Sequence, residues 1–298
     1  MGAVMHAAGD GLLYRWLVDR MANRWNETQT GFTFLAQGIL FMQALSINSM
    51  VNHYRVFPKT TYFPAMCFLL FSSFMPGWNY FSAPLIAGLG MVWVCSRLIR
   101  LYITQSAREE VFNIGLAIGL LAMIYLPCML FLLLLWAALL INRPFRIVEW
   151  IIAILGILCP FYFMAVLFFL TGRWPLLMTE RLLPVFDIPR FTQNYRQWIA
   201  LGMLLLPLLY GAFRVQQHFF KLLIQIRKIW LLLGVYFFVV LLLSFTESHF
   251  SLDSWILLLL PAAIYQANAC WHIHKNIVGN SLHAFFLAVL LVMEWMKW

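Results

Sequence analysis

The chain has 298 residues, of which 63% are hydrophobic and 10% charged, with a formal charge of +9. Soluble domains carry about 25% charged residues, so one water-soluble core is excluded and most of the chain belongs in lipid. The positive balance does not point to nucleic acid: no Gly-rich phosphate loop, basic repeat or stacking module accompanies it, and the basic residues fall in hinges between apolar runs, where they set orientation and meet anionic lipid.

In hydrocarbon the backbone must satisfy its own hydrogen bonds, which leaves helices or closed barrels. The runs LLLLWAALLI and LLLGVYFFVVLLLSF are continuous rather than alternating, so barrel strands are a poor fit. The expected fold is all-α: a polytopic transmembrane bundle of about ten spans, forming one domain over residues 1–298. Residues 1–30 differ in kind, with Asp10, Arg15, Asp19, Arg20, Arg24 and Glu27 among apolar neighbours. Leu13, Trp16, Leu17 and Met21 share one helical face, which predicts a short amphipathic helix lying on the membrane surface. No basic stretch precedes a compact apolar core, so this is not a signal peptide.

Spans are expected at about 31–52, 62–76, 83–104, 112–126, 128–142, 148–171, 197–214, 229–246, 253–270 and 277–296. Most have the length needed to cross a ~30 Å core, whereas three are short. The stretch 112–142 is free of charge and interrupted by Pro127. As one helix it would be about 46 Å long, and proline opposes its continuity. Two spans place Arg55, Lys59, Arg97, Arg100, Arg108, Arg143, Arg146, Arg214, Lys221, Arg227, Lys228 and Lys275 on one side. Arg173, Arg181, Arg190, Arg196 and Lys297 then fall on the other. That asymmetry is steeper than a single span gives, and the positive-inside rule prefers it. It sets residues 1–30, the proline-containing loop 172–196 and the C-terminus outside the cytoplasm of a bacterial inner membrane. An outside N-terminus with no span before it is accounted for by a further N-terminal helix or by simple slippage across the bilayer.

On the first span Gln37, Asn48 and Asn52 share a face and are expected to form an interhelical polar stripe. His53 and Arg55 close that span as a snorkelling anchor. Arg97 and Arg100 anchor the third span, with phosphate binding as the alternative, and Glu149 is expected to pair with Arg146 or favour a helix N-terminus. His272 and His274 point apart on a helix, and Cys67, Cys95, Cys128, Cys159 and Cys270 show no C-x-x-C. No metal site, disulfide framework or cofactor is therefore expected. The acids Asp10, Asp19, Glu27, Glu180, Asp187, Glu247 and Asp253 fall on the external side with Arg173, Arg181, Arg190 and Arg196. Arginine forks suit phosphate and pyrophosphate, and a nearby carboxylate suits a general base. No ionisable residue lies mid-span, which disfavours an ion-coupled transporter. Ser-His-Asp, H-E-x-x-H and P-loop patterns are absent.

Several short motifs act together. They are Gln43-Ala44-Leu45-Ser46-Ile47-Asn48 running to Asn52 and Arg55, Leu70-Phe71-Ser72-Ser73, and Arg97 to Arg100-Leu101-Tyr102. Asn113-Ile114-Gly115 with Gly119, and Glu149-Trp150 to Gly156 and Pro160-Phe161-Tyr162, complete the set. Over residues 12–175 the chain resembles an uncharacterised family of polytopic inner-membrane proteins found in Bacteroidota. The resemblance implies location and topology, including a further span before the segment matching 12–30, and implies no chemistry. A looser architectural analogy is to integral-membrane glycosyltransferases that use polyprenyl-phosphate sugars, although their paired acidic motif is missing here.

The first expectation is a component or partner in cell-envelope assembly, with membrane lipids and a membrane protein as its partners and no nucleic acid. The second is a glycosyltransferase-like enzyme with Asp19 or Glu27 as base and Arg173, Arg181 and Arg190 holding the phosphate of a polyprenyl-phosphate lipid. A transporter comes third.

Overall fold

The computed structural model describes residues 9–24, 29–102, 107–175, 195–246 and 252–271. Within them the named elements are helical, and an isolated backbone bridge joins Asp10 to Tyr125. In chain order they are α1 (Leu12–Arg24), α2 (Gln29–His53), α3 (Phe63–Ser72), α4 (Ala83–Arg100) and α5 (Ala107–Ile124). There follow α6 (Phe131–Asn142), α7 (Ile147–Leu170), α8 (Tyr195–His218), α9 (Ile224–Leu243) and α10 (Leu259–Trp271), with short 3-10 turns between them. Among the described residues, four segments, Thr30–His53, Ala83–Arg100, Ile147–Leu170 and Ile224–Thr246, are long and apolar enough to cross a membrane. The described residues are thus all-helical, with apolar helices compatible with a membrane protein.

Most of these boundaries lie close to the expected spans, and the departures have physical causes. α5 begins five residues before the apolar run, because Glu109 and Glu110 in its first turn suit the positive end of a helix dipole. The stretch 112–142 breaks where Pro127 opens a 3-10 turn over Leu126–Leu130, leaving α5 and α6 as separate helices. The segment 62–76 contains only the ten-residue α3, and 253–270 begins as 3-10 helix before α10 takes over. The span expected at 277–296 lies outside the described residues.

α5 and α7 pack backbone to backbone. A Cβ on Gly115 would lie 2.7 Å from the Ala153 carbonyl oxygen, one on Gly119 2.5 Å from that of Ile157, and one on Gly156 2.6 Å from that of Phe112. Small residues four apart let helices approach this closely. Since Gly115 meets Ala153 and Gly119 meets Ile157, the two helices run parallel, with the shorter α6 returning between them in sequence.

Many basic helix ends gather at one end of the bundle. Tyr54, just past α2, donates to the Ser96 carbonyl near the end of α4 at 2.8 Å. Arg97 pairs with Glu110 at the start of α5 at 3.2 Å and lies over Trp93. Asn142, the last residue of α6, and Arg143 just after it donate to the Leu98 and Leu101 carbonyls. Lys228 at the start of α9 sits 4.1 Å over the Tyr102 ring. Glu149, only 3% exposed, lies in the first turn of α7 with Arg143 4.0 Å away, so its ion-pair partner is Arg143 rather than Arg146.

The expected polar stripe on α2 is spread over different partners. Gln37 donates to Asn79 at 3.3 Å, and Asn52 exchanges two 3.1 Å bonds with the Thr61 backbone. Asn48 is buried, and its Oδ1 has no hydrogen-bond partner among the described residues. The buried crosslink between α2 and α4 is Gln43, which donates to the Leu85 carbonyl at 2.6 Å beside Gly88.

Candidate functional site

The other end of the bundle carries α1. Residues Gly9-Asp10-Gly11 lie antiparallel to the end of α5: the Gly11 amide donates to the Ile124 carbonyl at 2.8 Å, and the Leu126 amide donates to the Gly9 carbonyl at 2.9 Å. A Cβ on Gly11 would sit 2.0 Å from the Met123 carbonyl oxygen, so only glycine fits there. Asp10, expected among the external acids, is buried in this seam.

Tyr14 completes the dock. It is fully buried, stacks on Phe81 with ring centroids 6.0 Å apart, and donates its hydroxyl to the Phe81 carbonyl at 3.1 Å. Phe32 at the start of α2 packs on the same Phe81 ring, which places the beginning of α2 at this end. Burial, and then the neighbouring Asp10 carboxylate, push the Tyr14 phenol well above its ordinary pKa. The buried face of α1 is therefore Tyr14 and Val18, continuing from Gly11 just before the helix and flanked by the partly buried Leu17 and Met21. Trp16, which the sequence groups with Leu13, Leu17 and Met21 on an apolar face turned to the membrane surface, is 64% exposed.

Trp16 is exposed because it faces a cleft. Between α1, α5 and α7 lies a cavity of about 690 Å³, walled by apolar side chains such as Leu13, Trp16, Leu120, Met123, Phe163 and Leu167. This falls in the range of ~300–1,000 Å³ typical of ligand pockets. The polar groups lining it are Arg15 and Asp19, one turn apart on α1, and Arg173, just beyond α7.

The position of Arg173 follows from how α7 ends. Gly172 takes the left-handed backbone conformation (φ 68°), its amide bonds the Phe169 carbonyl, and the Arg173 amide returns to that of Phe168 at 2.9 Å. This is the capping geometry that favours glycine, and it turns the chain so that Arg173 joins the cleft wall. Pro160 contributes to the same wall and removes the amide that would pair with the Gly156 carbonyl one turn earlier.

Two sequence-expected residues, Asp19 and Arg173, thus line one cavity although they are far apart in the chain. Glu27, Arg181 and Arg190 lie outside the described residues. Arg15 was read only as part of a charged helix face. Its position one turn before Asp19 is the signal that could have linked them. Among the described residues, no cluster of three His, Cys, Asp or Glu could hold a metal ion.

Chemically, the cleft offers an apolar trough whose lining includes two guanidinium groups and one carboxylate. That set suits an amphiphile with an anionic head: the arginines form charge-assisted bonds to phosphate, and the trough shelters a hydrocarbon chain. Comparison of the chain with protein-family models, curated proteins and solved structures finds no match.

Proposed function

We propose that this protein holds a long-chain lipid phosphate, of the polyprenyl-phosphate class, in the cleft between α1, α5 and α7. In this reading it is a polytopic protein of about ten spans in the bacterial inner membrane and serves as a component of cell-envelope assembly. The supporting observation is the apolar 690 Å³ cavity lined by Arg15 and Arg173. The gathering of Arg97, Arg143 and Lys228 at the opposite end supports an orientation in which that end faces the cytoplasm and the cleft opens near the outer face.

A second reading, transfer from a lipid-linked sugar with Asp19 as general base, draws support from Asp19 lining the same cavity. Binding without transfer is the better-supported of the two, because Asp19 is the sole carboxylate among the described residues lining the cleft. Arg181, Arg190 and Glu27 enter only the second reading, as further phosphate ligands and an alternative base.

The test is native mass spectrometry of the detergent-solubilised protein with a polyprenyl phosphate and with the neutral polyprenol of equal length. The phosphate should bind at least about tenfold more tightly, since hydrogen bonds to charged groups contribute about 1.5–3 kcal/mol each. The double variant R15A/R173A should lose that preference, and D19N should keep it. Equal binding of phosphate and alcohol, or an unchanged preference in R15A/R173A, would overturn the proposal. Sugar transfer by the wild type that D19N abolishes would establish the second reading.

A further inference from the structure

A second cavity, of about 360 Å³, lies between the end of α2, α8, the start of α9 and the end of α10. It is at the opposite end of the bundle from α1, because α2 starts beside Phe81 and runs 25 residues, about 37 Å. Its cationic or protonatable lining groups are Arg55, Arg214 and His218, and the described lining contains no carboxylate. The imidazole Nδ1 of His218 lies 3.2 Å from the Arg214 carbonyl, and Arg214 donates to Gln217 at 3.4 Å. Trp230 and the stacked pair Phe57 and Trp271 supply apolar walls.

The backbone at Arg55 is the informative detail. α2 ends with the Val56 amide bonded to the Val51 carbonyl and the Arg55 amide to that of Asn52, and Arg55 takes φ 50°. The end of α7 has the same pair of bonds, with Gly172 at the equivalent position. A left-handed conformation costs an L side chain energy that glycine avoids, and such strain tends to be kept where a side chain has work to do. The loop is clamped by the Asn52–Thr61 pair of bonds and by buried Val56 and Phe57, and Arg55, though exposed, lines the cavity.

We propose that this cavity binds a phosphate-bearing anion, with Arg55 and Arg214 as charged ligands and His218 as a further hydrogen-bonding group. A guanidinium matches a phosphate oxygen pair, and the aromatic walls suit an apolar substituent beside it. The phosphate is supplied either by free inorganic phosphate or by the headgroup of an anionic lipid such as phosphatidic acid. The site is independent of the α1 cleft, and the test is run in the R15A/R173A background so that the two proposals fail separately.

The full-length protein in neutral detergent is titrated with inorganic phosphate, with phosphatidic acid in mixed micelles and with phosphatidylcholine in the same micelles, following its thermal midpoint. Phosphatidic acid should raise the midpoint and phosphatidylcholine should not; a shift with inorganic phosphate as well assigns the site to the free anion. Arg55→Gly should raise the midpoint without ligand, by relieving strain, yet weaken the apparent affinity for the anion at least about tenfold. Arg55→Lys should keep part of the response. The proposal is overturned if neither anion moves the midpoint, if R55G responds as its parent does, or if R55G is less stable than its parent.

Discussion

Replacing Gly11 by alanine attacks the docking of α1 at one atom. The added Cβ would lie 2.0 Å from the Met123 carbonyl oxygen and 2.5 Å from its carbonyl carbon, against an ordinary contact of 3.4–4 Å. Those atoms belong to the backbone of α5, so no side chain can swing aside. The Gly9–Gly11 segment must retreat by about 1.4 Å to clear the overlap, which stretches the 2.8 Å bond from the Gly11 amide to Ile124 beyond useful range. The parallel bond from Leu126 to Gly9 and the Tyr14 hydroxyl bond to Phe81 depend on the same seat. Each is worth about 0.5–1.5 kcal/mol, so G11A should destabilise the dock by about 2–4 kcal/mol. Amide hydrogen exchange in detergent micelles reads this directly: α1 should lose protection in G11A while α4 and α9 keep theirs. A G11A protein with wild-type protection across α1 would refute the reasoning.

Three further perturbations test other joints. Gly119→Val forces bulk into a gap where a Cβ alone would approach the Ile157 carbonyl oxygen to 2.5 Å and Pro160 to 2.9 Å. It should lower stability by about 3 kcal/mol, read as thermal midpoint in detergent, and the lipid site on the same helix pair should weaken with it. Tyr14, whose pKa is raised by burial and then by Asp10, stabilises the fold only while neutral. That contribution is intact below about pH 10, the phenol's ordinary pKa, and is lost as pH rises above it. Alkaline titration should therefore release α1 in the wild type, whereas Y14F should start about 1 kcal/mol less stable and remove this titration component. Glu149→Leu leaves Arg143 without its buried carboxylate neighbour, and should cost about 2–3 kcal/mol in chemical denaturation.

Much of the scaffold was legible because it depends on local chemistry. The apolar runs behind α2 and α7 gave their limits within two residues, and Pro127 marked the break between α5 and α6. The parallel seam of α5 and α7 also leaves a local trace, since Gly115 and Gly119 are four apart and the small Ala153 and Gly156 face Gly115. What escaped depends on distant partners. Periodicity groups Leu13, Trp16, Leu17 and Met21 on one apolar face of α1, but the face that packs on the bundle contains Tyr14 because the Phe81 carbonyl is there to accept its hydroxyl. The sequence groups Asp10 with the acids of the external side, and its burial comes from the seam with Tyr125. On α2, Gln37, Asn48 and Asn52 matched one helical face, whereas Gln43 meets α4 because Gly88 leaves room for it. Of the site, Asp19 and Arg173 were named from residue type and side of the membrane. Their meeting at one cavity required the glycine turn after α7 and the docking of α1.

The central claim is that a lipid phosphate occupies the cleft between α1, α5 and α7. A photoreactive residue at Leu120, in the cleft wall, can be compared with one at Leu140 on the exposed side of α6, using a radiolabelled polyprenyl phosphate in nanodiscs. The account predicts labelling at Leu120 that saturates, is competed by unlabelled polyprenyl phosphate but not by polyprenol, and falls in R15A/R173A; labelling at Leu140 should simply rise with lipid content. Labelling at Leu120 that never saturates, or that polyprenol competes equally well, would contradict it.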